Sequence, residues 1–188
     1  MSAFTIHDVE TAPTGSRATL EAVARSFGRA PNLFGVFAES PAVLKGYTTL
    51  AGLLEKDSAF DATELQVVLL TVSFENDCEY CVAAHTTISK MQSLPGDVVE
   101  ALRDGGPLPD ARLEALRTYT RHVLETRGWV SDEAVQAFLD AGYTRRHQLE
   151  VVLGLAFKTL SNYVNHAAGT PLDTAFAPAA WKKPESVA

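Results

Sequence analysis

Residues 64–90 read Glu-Leu-Gln-Val-Val-Leu-Leu-Thr-Val-Ser-Phe-Glu-Asn-Asp-Cys-Glu-Tyr-Cys-Val-Ala-Ala-His-Thr-Thr-Ile-Ser-Lys. Asp61 and Glu64 have capping-box spacing ahead of this stretch, and Leu65, Val68, Leu69 and Val72 fall on one helical face. Asn76-Asp77 interrupts the helix, which predicts Cys78 at the opening turn of a following helix that runs to about Gln92. On that second helix Cys78, Cys81 and His85 lie three and four residues apart and form a ladder on one face.

The same punctuation continues on both sides. Ser40-Pro41 reads as an N-cap with proline at the first helical position, ahead of Leu44, Tyr47, Leu50 and Leu54. Leu94-Pro95-Gly96-Asp97 turns into a short helix that stops near Gly105-Gly106-Pro107. Asp110 to Arg127 is amphipathic and ends at Gly128, Ser131 caps a helix that ends at Gly142, and Thr144 opens a long helix toward Ala168. No run alternates apolar and polar residues between hairpin turns, so the fold class is all-α. Residues 1–188 read as a single all-helical domain, with an extended C-terminal tail over 170–188 that either frays or drapes over a neighbouring subunit. A shift of 84 residues lays Leu65, Val67, Val68 and Leu69 on Leu149, Val151, Val152 and Leu153, and suggests an internal duplication with half-repeats over about 40–105 and 110–169. In that register Cys78 meets Asn162, Cys81 meets Asn165 and His85 meets Gly169, so only the first copy carries thiols.

Composition narrows the function. The chain is 46% hydrophobic and 21% charged, that of an ordinary globular protein. Its formal net charge of −7 removes the electrostatic basis for binding nucleic acid or an anionic membrane surface. Met1 to Asp8 lacks the basic and apolar regions of a secretory signal, and the apolar runs at 67–72 and 151–157 fall short of the ~20 residues of a membrane span, so a cytoplasmic location is expected. Two cysteines three residues apart in a reducing compartment do not form a structural disulfide framework.

A C-x-x-C at a helix start favours a thiolate, through the unpaired backbone N–H groups and the positive end of the helix dipole, and His85 can take the proton of Cys81. A thiol with a pKa of ~8.5 is about 3% thiolate at pH 7, and a drop of two units raises this to roughly three quarters. Nucleophilicity falls in step, which leaves a gain of only a few-fold. Cleaving a peroxide O–O bond also needs a proton on the departing oxygen, a task worth about 10²–10⁴-fold in rate, so His85 reads as base first and acid second. Two bland readings stand beside this one. The cysteines can be small buried hydrophobes. Cys78, Cys81 and His85 also supply three zinc ligands, though with no second cluster to complete a tetrahedron. His7, His122, His147 and His166 read as surface or packing residues.

The stretch Glu64–Lys90 resembles the alkylhydroperoxidase D-like branch of the carboxymuconolactone decarboxylase family, and Lys158–His166 and Thr170–Asp173 are similar to the C-terminal part of its peroxidase-related members. The resemblance covers most of the chain after about Pro31. It implies an oligomeric helical bundle, typically a trimer or hexamer, that reduces a small hydroperoxide or disulfide through its thiols without metal or organic cofactor, recycled by a dithiol reductant. By that analogy Cys81 attacks and passes through a sulfenic acid, Cys78 resolves it to a disulfide, and His85 relays the proton. A thioredoxin-like order reverses the two cysteines. The best-known members carry glutamate where this chain has Gln66 and histidine where it has Tyr80, so these two are expected to line the site or serve its relay. Glu64 and Glu75 are the nearby carboxylates that could substitute. Two other functions remain: a muconolactone-type decarboxylase that does not use the cysteines, and a non-catalytic helical oligomer that senses oxidation.

Overall fold

The structure is a computed structural model and describes residues 4–185. Among these are nine α-helices and no strand: α1 Thr14–Phe27, α2 Asn32–Phe37, α3 Pro41–Lys56, α4 Ala62–Glu75, α5 Glu79–Met91, α6 Gly96–Asp104, α7 Ala111–Glu125, α8 Asp132–Asp140 and α9 Arg145–Ala168. The caps expected from sequence form. Ser40 Oγ accepts from the Val43 N–H, Asp61 and Glu64 close a reciprocal capping box, and Asp110 accepts from the Arg112 and Leu113 N–H groups. Helices α1 and α2 occupy a region where the caps and periodicity above predicted no element.

Helix α4 is the centre, packed by α5, α6, α7 and α9. Its side chains are buried continuously from Glu64 to Ser73 rather than along one stripe, so the one-face reading of Leu65, Val68, Leu69 and Val72 is too narrow. The polar members of this buried run turn inward on their own helix: Thr71 Oγ1 donates to the Val67 carbonyl and Ser73 Oγ to that of Leu69. Asp77 then adopts a left-handed conformation (φ 52°), which an aspartate tolerates, while its N–H and that of Cys78 bond back to the Phe74 and Ser73 carbonyls. The chain thereby leaves α4, turns, and makes extended Cys78 the N-cap of α5.

Helix α9 runs without interruption where α4 and α5 are separated by this turn. Its buried face is Val151, Gly154, Phe157, Lys158, Ser161, Asn162 and Asn165, a helical repeat that starts apolar and ends polar. Gly154 sets the approach to α4: a Cβ there would stand 2.7 Å from Val68 Cγ1. The opposite face leaves Leu149, Val152 and Tyr163 exposed.

After Gly169 the tail neither frays over 170–185 nor leaves the chain. It folds back over α5 and α6, burying Phe176 and Trp181; Trp181 Nε1 donates to the Arg103 carbonyl, and Arg103 Nη1 donates to the Ala179 carbonyl. The last three residues of the expected tail, 186–188, lie outside the described residues. No helix among the described residues is long and apolar enough to cross a membrane.

The contact at Gly154 is testable. Gly154→Ala gains helix propensity worth up to about 1 kcal/mol, but Val68 is fully buried and stiff at χ1, so the added methyl overpacks the α4–α9 seam at a cost of about 1–3 kcal/mol. The expected net result in urea unfolding is a loss of stability, whereas Gly46→Ala in α3, where a Cβ meets nothing within 4 Å, should be neutral or stabilising.

Candidate active site

The two thiols are reduced and buried at the start of α5. As N-cap and third residue of the helix, Cys78 and Cys81 lie where unpaired N–H groups concentrate. Across from them stands the polar end of α9. Asn165 Nδ2 donates to Cys81 Sγ at 3.2 Å and reaches Cys78 Sγ at 3.9 Å, and Ser161 Oγ lies 3.9 Å from Cys81 Sγ. Asn162 is fixed by Asn76, whose Nδ2 donates to its Oδ1 at 2.9 Å, so its own Nδ2 faces inward without a full hydrogen bond.

The two sulfurs are electrostatically unequal. Burial pushes the Cys81 thiol up, but the hydrogen bond from Cys78, the Lys158 cation and the Asn162 and Asn165 amides outweigh it and hold Cys81 well below the ordinary thiol range, at about 5. Cys78 moves the other way, because its hydrogen bond to Cys81 and its burial both keep its proton in place. The surroundings thus favour the anion on Cys81 and the proton on Cys78.

Lys158 is the residue that the sequence reading did not assign. It is 1% exposed, and among the described residues no carboxylate lies within salt-bridge distance of it. Its Nζ donates to His85 Nε2 at 2.9 Å, and His85 Nδ1–H donates to Gln66 Oε1 at 2.9 Å. The imidazole is held well below its ordinary range, first by burial and then by the Lys158 cation, so it is neutral. Both ring nitrogens are occupied. The direct proton transfer from Cys81 to His85 expected from their spacing therefore has no hydrogen bond to run through.

The other sequence candidates separate. Gln66 belongs to the cluster. Tyr80 turns its hydroxyl away from the thiols: it donates to Asp173 Oδ2 at 2.6 Å and accepts from the Leu33 N–H, and burial followed by Asp173 pushes the phenol up. Asp173 also binds Arg29 and the Asn32 N–H, so Tyr80 ties α5 to α2 and to the tail rather than serving as a proton relay, although its ring lines the cleft described below. Glu64 is occupied by its capping box and Arg112, and Glu75 by Arg121 at 2.7 Å, so neither enters the site. His7 pairs with Glu39, His147 caps α9 with Thr144 and packs against Phe60, and His166 stacks on Tyr163. Among the described residues no three His, Cys, Asp or Glu groups gather as a metal set.

Cys81, Gln66, His85 and Lys158 lie on the wall of an open cleft of about 1030 Å³ between α1, α3, α4, α5 and α9; Cys78 does not. Aromatic rings line much of it, including Tyr47 stacked on Phe157 with centroids 4.4 Å apart. A volume at the top of the range for small-molecule sites far exceeds what hydrogen peroxide needs and fits an organic molecule with a large apolar part.

Residues 41–119 match the model of the carboxymuconolactone decarboxylase family. The fold is shared with the alkylhydroperoxidase AhpD core of a peroxidase-related protein from Ralstonia eutropha JMP134 (TM-score 0.81, 21% identity, 94% of this chain and 96% of that one covered). It is shared equally with a peroxidase-related protein from Silicibacter sp. TM1040 (TM-score 0.77, 19% identity, 93% and 95% covered). The debrominase Bmp8, in complex with 2,3,4-tribromopyrrole, superposes with a TM-score of 0.78 at 13% identity over 95% and 96% of the chains. No curated protein matches the chain in sequence.

The inequality of the thiols predicts a pH profile. In Cys78→Ser, which keeps a hydroxyl donor beside Cys81, alkylation by iodoacetamide should persist at pH 6, where an ordinary thiol is only about 0.3% ionised. Asn165→Leu and Cys78→Ala each remove a donor to the Cys81 sulfur, and should move the midpoint of that profile upward.

Proposed function

From the match of residues 41–119 to the carboxymuconolactone decarboxylase family and the alkylhydroperoxidase AhpD-like fold, we propose that the chain is a thiol-dependent oxidoreductase that reduces organic hydroperoxides, with Cys81 attacking and Cys78 resolving. One observation carries the assignment: of the two thiols, Cys81 alone lies on the wall of the cleft, and it is also the one whose surroundings favour the anion. Both features favour the order of the alkylhydroperoxidase analogy over that of thioredoxin.

The Cys81 thiolate attacks the terminal oxygen of ROOH, an S–O bond forms and the O–O bond breaks, and a Cys81 sulfenic acid and RO⁻ result, the alkoxide taking up a proton to leave as ROH. The Cys78 thiol, at the N-cap of the same helix, then displaces water to form the disulfide. A dithiol reductant returns both thiols. The site uses no metal or organic cofactor in this scheme. The exposed face of α9, with Leu149, Val152 and Tyr163, supports assembly with further copies of the chain.

A second reading draws on the debrominase and the aromatic lining of the cleft: a halogenated aromatic could be dehalogenated by the same dithiol, with ArBr and two thiols giving ArH, HBr and the disulfide.

Thiol titration separates these readings. Cumene hydroperoxide should consume two thiols per chain, and dithiothreitol should restore them. Cys78→Ser should stop at a sulfenic acid that dimedone traps, and Cys81→Ser should not turn over. If the thiols remain titratable in excess hydroperoxide, the peroxidase reading fails. If 2,3,4-tribromopyrrole but not hydroperoxide oxidises the pair with release of bromide, the second reading replaces it. Turnover of a carboxylated lactone by Cys81→Ser would instead favour the decarboxylase, and one oxidation that no dithiol reverses would favour a redox sensor.

A further inference from the structure

Lys158 is a buried cation on the cleft wall beside the reacting sulfur, and the scheme above gives it no task. An ammonium has three N–H donors, and among the described residues Lys158 Nζ makes one hydrogen bond, to His85. His85 accepts at Nε2 and gives its single proton, on Nδ1, to Gln66 Oε1, so the ring neither offers a proton to the cleft nor takes one from it. The chain Gln66, His85, Lys158 is therefore polarised in one direction. It fixes a neutral ring so that the ring fixes a charged head, whose remaining protons are left for the cleft. Of the two phenols on the cleft wall, Tyr80 is committed to Asp173, and burial followed by the neighbouring Cys81 holds the proton of Tyr47 in place.

We propose that Lys158 is the general acid of this site, donating a proton to the oxygen that departs when Cys81 cleaves a hydroperoxide, and that His85 and Gln66 are the residues that position it. This rests on the peroxidase reading. As the S–O bond forms and the O–O bond breaks, sulfur is oxidised by two electrons and the peroxide is reduced. The departing RO⁻ takes a proton from the Lys158 ammonium and leaves as ROH, giving a neutral amine beside a neutral Cys81 sulfenic acid. Cys78 attacks the sulfenic sulfur and water departs. When a dithiol reductant reopens the disulfide, the proton of the regenerated Cys81 thiol returns to the amine, and the ion pair is restored. Every proton is accounted for, and none passes through His85.

The test separates proton delivery from thiolate stabilisation by the leaving group. In a Cys78→Ser parent, the oxidation of Cys81 is timed with cumene hydroperoxide, whose leaving alkoxide is strongly basic, and with peracetic acid, whose leaving acetate needs no proton. Iodoacetamide, which needs only the thiolate, is the reference. Lys158→Met should slow cumene hydroperoxide by about 10²-fold or more, and peracetic acid only as much as iodoacetamide. Lys158→Arg keeps the charge but holds its protons far more tightly, and should show a selective loss of the same kind. Gln66→Met, which frees the imidazole, should give a smaller loss of the same selective kind, and it serves if Lys158→Met does not fold. Equal slowing of all three reagents overturns the proposal and leaves Lys158 as a counter-ion, and unchanged cumene hydroperoxide kinetics overturns it outright. A parent that iodoacetamide alkylates but neither peroxide oxidises overturns the peroxidase reading, and the proposal with it.

Discussion

A buried ammonium without a carboxylate is the constraint on which the site depends. Removing one charge from water costs several kcal/mol even after relaxation, on the order of the whole stability margin of a domain. The groups around Lys158 do not offset this with a fixed anion: Gln66 is an amide, His85 is neutral, Asn162, Asn165 and Ser161 carry no charge, and the nearby glutamates are paired elsewhere. The one group that can supply a negative charge is a thiol of the C-x-x-C pair. The cation and the depressed Cys81 thiol are two sides of one balance, and that balance favours the thiolate at Cys81.

The fold serves that balance through two close fits. Gly154 lets α9 lie against Val68 of α4, which brings the polar end of the helix, from Lys158 to Asn165, to the level of the thiols. The left-handed Asp77 ends α4 abruptly, so that α5 starts with Cys78 and presents Cys81 one turn on. Asn76, in the same turn, fixes the amide of Asn162 on the opposite helix. The tail closes the arrangement: Asp173 gathers Tyr80, Arg29 and the start of α2, and so holds the residue between the two cysteines with its hydroxyl turned away from them. Tyr80 thus helps position the thiols rather than exchanging protons with them.

How much of this was legible follows from the kind of signal each part leaves. Caps are local, and Ser40, Asp61, Asp110, Ser131 and Thr144 all open helices where the sequence places them. The thiol ladder is local too. The central place of α4 was only half visible, because Thr71 and Ser73 look like a polar face until their hydroxyls are seen bonded to their own helix. Helices α1 and α2 carry no side-chain cap, their N-caps being Pro13 and Pro31, and so announced themselves weakly. Lys158 was missed for a physical reason: a lysine in an amphipathic helix ordinarily points to water, and only the spacing Lys158, Ser161, Asn162, Asn165, in register with the buried Val151, Gly154 and Phe157, indicated that this one points inward. In space Asn165 Nδ2 donates to the Cys81 sulfur at 3.2 Å.

Gln66 then acquires a different meaning. Set against family members with glutamate at the corresponding position, an amide looks like a lost proton carrier. With Lys158 two hydrogen bonds away, a carboxylate at 66 would bring a fixed negative charge into the cluster, draw a second proton onto His85 and compete with the thiol for the cation. The second effect would let Cys81 keep its proton. A neutral glutamine accepts the Nδ1 proton of His85 without adding charge, so the imidazole stays a rigid acceptor for Lys158 and the sulfur remains the sole anion available. The amide at 66 and the lysine at 158 are therefore one solution: the chain moves the proton source from the histidine to the lysine, and the residue behind the histidine must then be neutral.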